Sequence, residues 1–383
     1  MTIAELLSNE ELRRHEFPVV AQKIFLAHAA VCPLPRRVAE AMRHHAAAGM
    51  LDDQEESFRL PRISQAREVA ARLLNAKAEE IAFVGPTSLA LSFVARGLPL
   101  RKGDNILIYF EDYPSNVYPW MALAEKGVEV RLLNTKALGR IRLIDVIGQV
   151  DEQTRLVALA SNHFVAGWRL DLDAIGQELR RRNILFCVDG IQTLGVLPTS
   201  VKYVDFLAAD AHKWLLGPCG AGVFFVRQPV QETLRPVVQG WHNVRCPNFV
   251  SQEQLVYRTD ARRYEAGSAN LIGLAGLVAA MELLLELGLE NIAQEVLRKR
   301  TWLARSLQEK GFTVLHADAP AANASGILSF YKPGVDMAKL QGELQTAQIQ
   351  VSLRTDRAGQ SYLRVSPHFY NTDDELHHLL EKL

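Results

Sequence analysis

Three pieces of one stretch decide the fold: Phe186-Cys187-Val188-Asp189-Gly190-Ile191-Gln192, then Asp205-Phe206-Leu207-Ala208-Ala209-Asp210-Ala211-His212-Lys213-Trp214, then Gly217-Pro218-Cys219-Gly220-Ala221-Gly222. The apolar run Ile184 to Val188 reads as a buried strand that ends on a carboxylate, Asp189. A second short run, Phe206 to Ala209, leads to the pair His212-Lys213, and a glycine-rich turn follows. In open α/β sheets, ligands bind outside the carboxyl ends of the strands. An acid and an amine occupy two such ends here.

Pyridoxal phosphate catalysis needs this pair. The cofactor requires a lysine amine for a Schiff base and a carboxylate that keeps its pyridine nitrogen protonated. Lysine suits the first role because partial burial lowers its pKa. Taken alone, an Asp and a Lys are better read as a strand-end turn residue and a surface lysine. The neighbours change that reading. Asp-Gly-x-Gln, then His-Lys-Trp, then Gly-Pro-x-Gly-x-Gly resembles the lysine region of class V aminotransferase-fold enzymes: cysteine desulfurases, selenocysteine lyases, kynureninases and isopenicillin N epimerases. The resemblance implies an α/β chain of fold type I. That fold has a mostly parallel sheet with helices on both faces, plus a smaller C-terminal α+β domain.

Composition sets the outer bounds. With 383 residues, 48% of them hydrophobic and 22% charged, the chain is long enough for one large domain and one smaller one. Its 43 basic and 43 acidic residues cancel, so no basic field recruits nucleic acid. Met1 to Phe17 mixes Glu11, Arg13, Arg14 and Glu16 with no apolar core, unlike a signal peptide. Leu271 to Leu289 is the most apolar stretch, but Glu282 and Glu286 interrupt it, so it reads as a buried helix rather than a membrane span. Cys32, Cys187, Cys219 and Cys246 are too scattered for a disulfide framework or a zinc site. They read as small buried or incidental residues and fit a reducing cytoplasm.

Strand and helix patterns alternate along the chain, which itself implies a mostly parallel sheet covered on both faces. Ile24 to Ala30 is an entry strand, and His28 within it reads equally as packing or as a residue near substrate. Ile81 to Val84 is a strand, and Gly85-Pro86-Thr87-Ser88 opens a helix through Val94. Free N–H groups and the macrodipole at such a start make an anion site, although Thr87 also reads as a plain N-cap. The strand Asn105 to Phe110 leads to Asp112-Tyr113-Pro114, and the strand Leu156 to Ala160 leads to Ser161-Asn162. Carried over from the family, Thr87 and Ser88 cradle the cofactor phosphate and Tyr113 stacks on the ring. Asn162 and Gln192 bind the phenolic oxygen, and His212 supplements the phosphate site. Desulfurases often carry histidine where Tyr113 stands, so that histidine's acid–base role is absent. Where relatives place a phosphate-binding serine, this chain has Asp210, whose charge repels phosphate. Asp210 is therefore expected to turn away.

Arg263-Tyr264-Glu265-Ala266-Gly267-Ser268 resembles the segment that reaches the other subunit's phosphate. That implies a homodimer with shared sites and a contribution from the partner's copy of Ser268; Ser268 or Asn270 also suits a helix cap. The chain divides into residues 1–23, a large cofactor-binding domain over 24–288 and a small domain over 289–383. In the small domain, Thr372 and Glu375 form a capping box. Leu363-Arg364-Val365-Ser366 and the following Pro367 to Thr372 resemble the family's C-terminal signature, whose arginine grips the substrate α-carboxylate. Arg354 faces substrate by the same resemblance.

One absence narrows the chemistry. Desulfurases carry a nucleophilic cysteine on a loop before that arginine, and Asp356-Arg357-Ala358-Gly359-Gln360 has none. The expected function is therefore a pyridoxal phosphate enzyme acting at Cα or Cβ of a small amino acid. The leading form is β-elimination of a C–S or C–Se bond. Transamination, epimerisation and an inactive binding relative are the alternatives. No metal, nucleic acid or membrane enters the expected site.

Overall fold

A strand covered on both faces carries apolar residues on both, and each face needs its own core. In the computed structural model, which describes residues 1–55 and 60–383, β1 (Ile24–Phe25) precedes a central sheet of seven strands. These are β2 (Ile81–Val84), β3 (Asn105–Ile108), β4 (Glu129–Leu132), β5 (Thr154–Ala160), β6 (Leu185–Asp189), β7 (Phe206–Asp210) and β8 (Gly222–Val226). Their order across the sheet is β2-β8-β7-β6-β5-β3-β4. From β7 to β4 every pairing is parallel. Only β8 runs against both its neighbours, so β2 points with the parallel set.

The two cores follow from the period of two. Val157, Leu159, Phe186, Val188 and Leu207 enter one core with helices Leu172–Arg181 and Leu271–Leu287. Leu156, Ala158, Cys187, Phe206 and Ala208 enter the other with Leu91 and Val94 of helix Thr87–Gly97. Each fully buried leucine, valine or phenylalanine contributes about 1.5–3 kcal/mol. The sheet is thus held flat between two helical layers, with its carboxyl edge open to loops.

The small domain is an antiparallel sheet backed by helices. It contains β9 (Thr313–Val314), β10 (Leu328–Tyr331), β11 (Ile349–Gln350), β12 (Ser352–Thr355) and β13 (Ser361–Val365), and the sheet order is β12-β13-β10-β9. Here the division at residue 24 needs correction. Ile24 and Phe25 pair in parallel with Ile349 and Gln350, and Leu26 lies in the small domain's core. The start of the 24–288 span therefore belongs to the small domain, through a pairing that has no local sequence signal.

Helix Leu289–Glu309 ties the two units together. Ile292, Ala293 and Val296 pack in the large core, whereas Leu303, Ala304 and Leu307 pack in the small one. Gly288, at φ +83°, turns the chain by 79° from helix Leu271–Leu287 into this helix. Among the described residues no single helix is long and apolar enough to cross a membrane. The N-terminal helix Glu10–Glu16 closes against the last one: buried Arg13 reaches Glu375 at 2.6 Å, and Phe17 stacks on Tyr370 at 4.0 Å. Glu375 also completes the capping box with Thr372.

Candidate active site

The functional side chains gather at the carboxyl edge because each follows a strand. Thr87 follows β2, Tyr113 follows β3, Asn162 follows β5, Asp189 ends β6, and Lys213 follows β7.

Lys213 is buried, and its Nζ has no hydrogen-bond partner among the described residues. Burial lowers its pKa to about 8; Asp189 opposes that shift, and Arg364 and Arg354 add to it. Asp189 is raised by burial, with Lys213 pulling it back. One of its oxygens accepts from the Ile191 amide at 3.0 Å. The Lys213 ammonium lies 5.1 Å from the centre of the Tyr113 ring, and that ring is 45% exposed. An aromatic face over the amine, open on its outer side, is a place where a second planar ring can stack.

The anion site forms at the start of helix Thr87–Gly97. Its N-cap is Pro86, and no side chain caps it, so Thr87 is the first helical residue rather than the cap. The Thr87 hydroxyl accepts from the Asp210 amide at 2.9 Å, which leaves its own proton to donate. Half-buried Ser88 stands beside it. Asp210 has turned away as expected. Its carboxylate accepts from the amides of Ala211, Gly220 and Ala221 and from His212 Nδ1 at 2.7 Å. A carboxylate that the sequence left unassigned thereby folds the glycine turn and orients His212.

At the other end of the site, Arg364 is buried. It donates to the Phe164 carbonyl at 2.6 Å and to Ser352 Oγ at 3.5 Å, while its Nε has no partner. Half-buried Arg354 donates to the Leu353 carbonyl at 3.0 Å. Burial lowers the pKa of both, and the Arg354 charge adds to the effect at Arg364. Neither guanidinium has a carboxylate partner among the described residues. Such a pair is a receiver for an incoming carboxylate.

Two expected site residues are held by remote partners. Gln192 donates to the Ala29 carbonyl at 3.1 Å and accepts from the Trp214 indole at 2.9 Å. It braces the scaffold behind the lysine through its Oε1 and one Nε2 proton, which leaves the second Nε2 proton for a phenolic oxygen. His28 is fully buried: its Nδ1 donates to the Ser366 carbonyl at 2.9 Å, and its Nε2 accepts from the Tyr370 hydroxyl at 2.6 Å. With both nitrogens engaged and its pKa lowered to about 3 by burial, it is a packing residue and not a substrate contact. Ser268 is exposed and makes no hydrogen bond among the described residues; Asn270 caps the following helix.

Asp112 was missed by the sequence reading. It is buried, and it accepts from the Tyr113 amide at 3.0 Å, Asn116 Nδ2 at 3.0 Å and the Ala160 amide at 2.9 Å. It pins the tyrosine turn to the end of β5. The spacing of Asp112 and Asn116 by four residues was the available signal.

These residues fit pyridoxal phosphate. Asn162 is fully buried, yet neither its Oδ1 nor its Nδ2 has a partner among the described residues. Leaving a buried amide unsatisfied costs about 1–3 kcal/mol per group, and a phenolic oxygen supplies what it lacks. Uncapped helix amides suit a phosphate, and Asp189 suits a ring nitrogen.

The family described as Aminotransferase class-V matches residues 24–379. A probable cysteine desulfurase of Methanothermobacter thermautotrophicus is 28% identical, over 98% of each chain. A cysteine desulfurase of Klebsiella pneumoniae is 32% identical over 73% of each. An uncharacterized aminotransferase of Bacillus subtilis is 27% identical over 97% of each. Among solved structures, the cysteine desulfurase CsdA of Escherichia coli superposes with a TM-score of 0.86 at 25% identity, over 98% of this chain and 97% of that one.

Proposed function

Because the chain belongs to the class V aminotransferase family, whose members are pyridoxal-phosphate-dependent enzymes, we propose that it is a lyase that breaks the Cβ–S or Cβ–Se bond of a small cysteine-like amino acid without an enzyme persulfide. The observation that carries this reading is the β12–β13 turn. Asp356 to Gln360 closes tightly, with the Asp356 amide on the Gln360 carbonyl at 3.1 Å and the Gly359 amide on the Asp356 carbonyl at 3.1 Å. No thiol stands on it. Of the four free cysteines, Cys32 and Cys187 are buried, and burial pushes the Cys32 thiol up to about 12; Cys219, on the glycine turn, is exposed and Cys246 partly so, and neither stands on this turn. The resemblance to desulfurases supports carbon–sulfur chemistry, and a turn without a thiol supports a form of it that needs no enzyme persulfide.

When bound, the cofactor supplies the electron sink that makes loss of a Cα proton feasible. The chain's own residues do the rest. Arg364 grips the α-carboxylate and sets the direction of the Cα bonds. Lys213 Nζ, held near pKa 8, takes the Cα proton as general base. Asp189 would hold the ring nitrogen, Asn162 the phenolic oxygen, and Thr87, Ser88 and His212 the phosphate. Tyr113 would cover the ring. A thiol or selenol leaves without a protein nucleophile.

A substrate screen tests this. Release of thiol, pyruvate and ammonia together, with no keto acid required, supports elimination. Amino transfer that proceeds only with an added keto acid refutes it and establishes a transaminase. That second reading is favoured by the aminotransferase of Bacillus subtilis, which matches along nearly the whole chain.

A further inference from the structure

Lys213 sits on a short, tense loop. The Gly217 amide returns to the Ala211 carbonyl at 2.9 Å, and the Leu216 amide returns to the Lys213 carbonyl at 3.1 Å. Leu216 closes the turn at φ +58°, a left-handed backbone that strains a branched L-residue. Such a conformation persists only where the surroundings over-determine it. The next residue, Trp214, shows how. Its indole is held by Gln192 at 2.9 Å, and its carbonyl receives His368 Nε2 at 3.2 Å. A Cβ on Gly195 would lie 2.7 Å from the same carbonyl, so the backbone behind the lysine is boxed in.

His368 belongs to the small domain, four residues after Arg364. Its tautomer follows from its partners. Nδ1 accepts from the Phe369 amide at 2.9 Å, so Nε2 carries the proton and donates to Trp214. The turn that holds it is itself fixed: the His368 amide donates to Asn371 Oδ1 at 2.8 Å, and buried Lys299 donates to the carbonyls of Phe369 at 2.8 Å and His368 at 3.3 Å. His28 packs edge-on against His368 at 5.2 Å. Both ring nitrogens of each histidine are engaged by protein groups.

We infer that His368 is a positioning residue that sets the Lys213 loop in register with the strand carrying Arg364. One neutral imidazole joins the turn after the carboxylate-binding arginine to the peptide after the amine. The two groups that grip a substrate at adjacent carbons are thereby fixed relative to each other across the domain boundary. Misplacement of a reacting group by about 1 Å costs on the order of a hundredfold in rate. The orphaned strain in the loop gives the amine somewhere to move once the bond to Trp214 is lost.

The test separates amine placement from cofactor affinity. Full-length protein stripped of cofactor is mixed with pyridoxal phosphate, and the rate of covalent capture is followed by absorbance. Affinity is read separately with pyridoxamine phosphate, which cannot link to the lysine. His368→Leu should slow capture about tenfold or more while leaving pyridoxamine phosphate affinity unchanged, and His368→Gln, whose amide reaches the position of Nε2, should restore capture to within about threefold of the original. Capture by H368L at the original rate, or a matched loss of pyridoxamine phosphate binding, would overturn the inference. If H368L does not fold, His368→Asn decides. Its shorter amide falls short of the Trp214 carbonyl, and capture at the rate of H368Q would overturn the inference equally.

Discussion

At the scale of the residue, the site is a balance of burial against charge. Lys213 loses proton affinity to burial and to two guanidinium groups, and it regains some from Asp189, which leaves it at about 8 rather than at the 10.5 of a free lysine. Its neutral, reactive fraction therefore rises as pH climbs through about 8. Removing Asp189 removes the group that favours the charged amine, so the amine pKa must fall further. Asp189→Asn should shift the midpoint of cofactor capture by the stripped protein to lower pH by roughly one unit, even as loss of the ring-nitrogen partner lowers activity about a hundredfold or more. A pH series of capture rates checks this, and a midpoint that stayed or rose would disprove the coupling. Lys213 and Asp189 were legible because each lies at or just past the end of a strand, where the chain has few places to go, and Asn162 because it also matches a family position. Gln192 and His28 take partners that no motif announces, Ala29 and Trp214 for the first and Ser366 and Tyr370 for the second, between 22 and 342 residues away. A motif fixes where a side chain starts, and distant hydrogen bonds decide where it ends.

At the scale of the element, legibility follows the strength of the local pattern. The strands β2, β6 and β7 are apolar runs bounded by turn residues, and they lie where the sequence predicts them. The strand β12, Ser352-Leu353-Arg354-Thr355, was not foreseen because it is short, polar at three of its four residues and at the edge of its sheet. The pairing of β1 with β11 was equally hidden, since parallel pairing between remote segments leaves no turn to read. Helix Leu289–Glu309 was legible as a helix but not as the bar that joins two cores. Its burden falls on Lys299, which is fully buried and paired with Glu295 at 2.9 Å as well as with the two carbonyls of the His368 turn. Burial lowers its pKa to about 8, so at neutral pH it is charged and its partners depend on that charge. Lys299→Met keeps the volume but leaves the buried Phe369 carbonyl without its donor, Glu295 without one of its two cations, and the His368 carbonyl with the Asn371 amide alone. Urea unfolding should show a loss of about 3 kcal/mol. A loss below about 1 kcal/mol would mean that packing alone holds the turn.

At the scale of the whole molecule, one segment has a structure but no role within its own chain. Glu265 anchors it: the carboxylate takes both guanidinium nitrogens of buried Arg67, at 2.5 and 2.6 Å, and the amide of Phe83 on β2 at 2.7 Å. Three residues on, Ser268 is exposed and unbonded. A buried ion pair costs desolvation and contributes chiefly by fixing geometry. Here what it fixes is the base of an outward-facing arm. Trp241, Phe249, Val250 and Leu255 are likewise exposed apolar residues, between the Lys213 loop and that arm in sequence. A homodimer in which Ser268 completes the partner's phosphate site accounts for both features, and it makes a prediction that an isolated site cannot share. In that arrangement each site takes its lysine from one subunit and its serine from the other. A chain with Lys213→Ala and a chain with Ser268→Asp should both be nearly inactive, because the second places a carboxylate against the phosphate. Mixed dimers would then contain one site with both defects and one with neither. Unfolding and refolding the two chains together should restore about a quarter of the original activity, since half of randomly paired dimers are mixed and each has one sound site. If each chain builds its site alone, no sound site can arise, and the refolded mixture will stay as inactive as its parts.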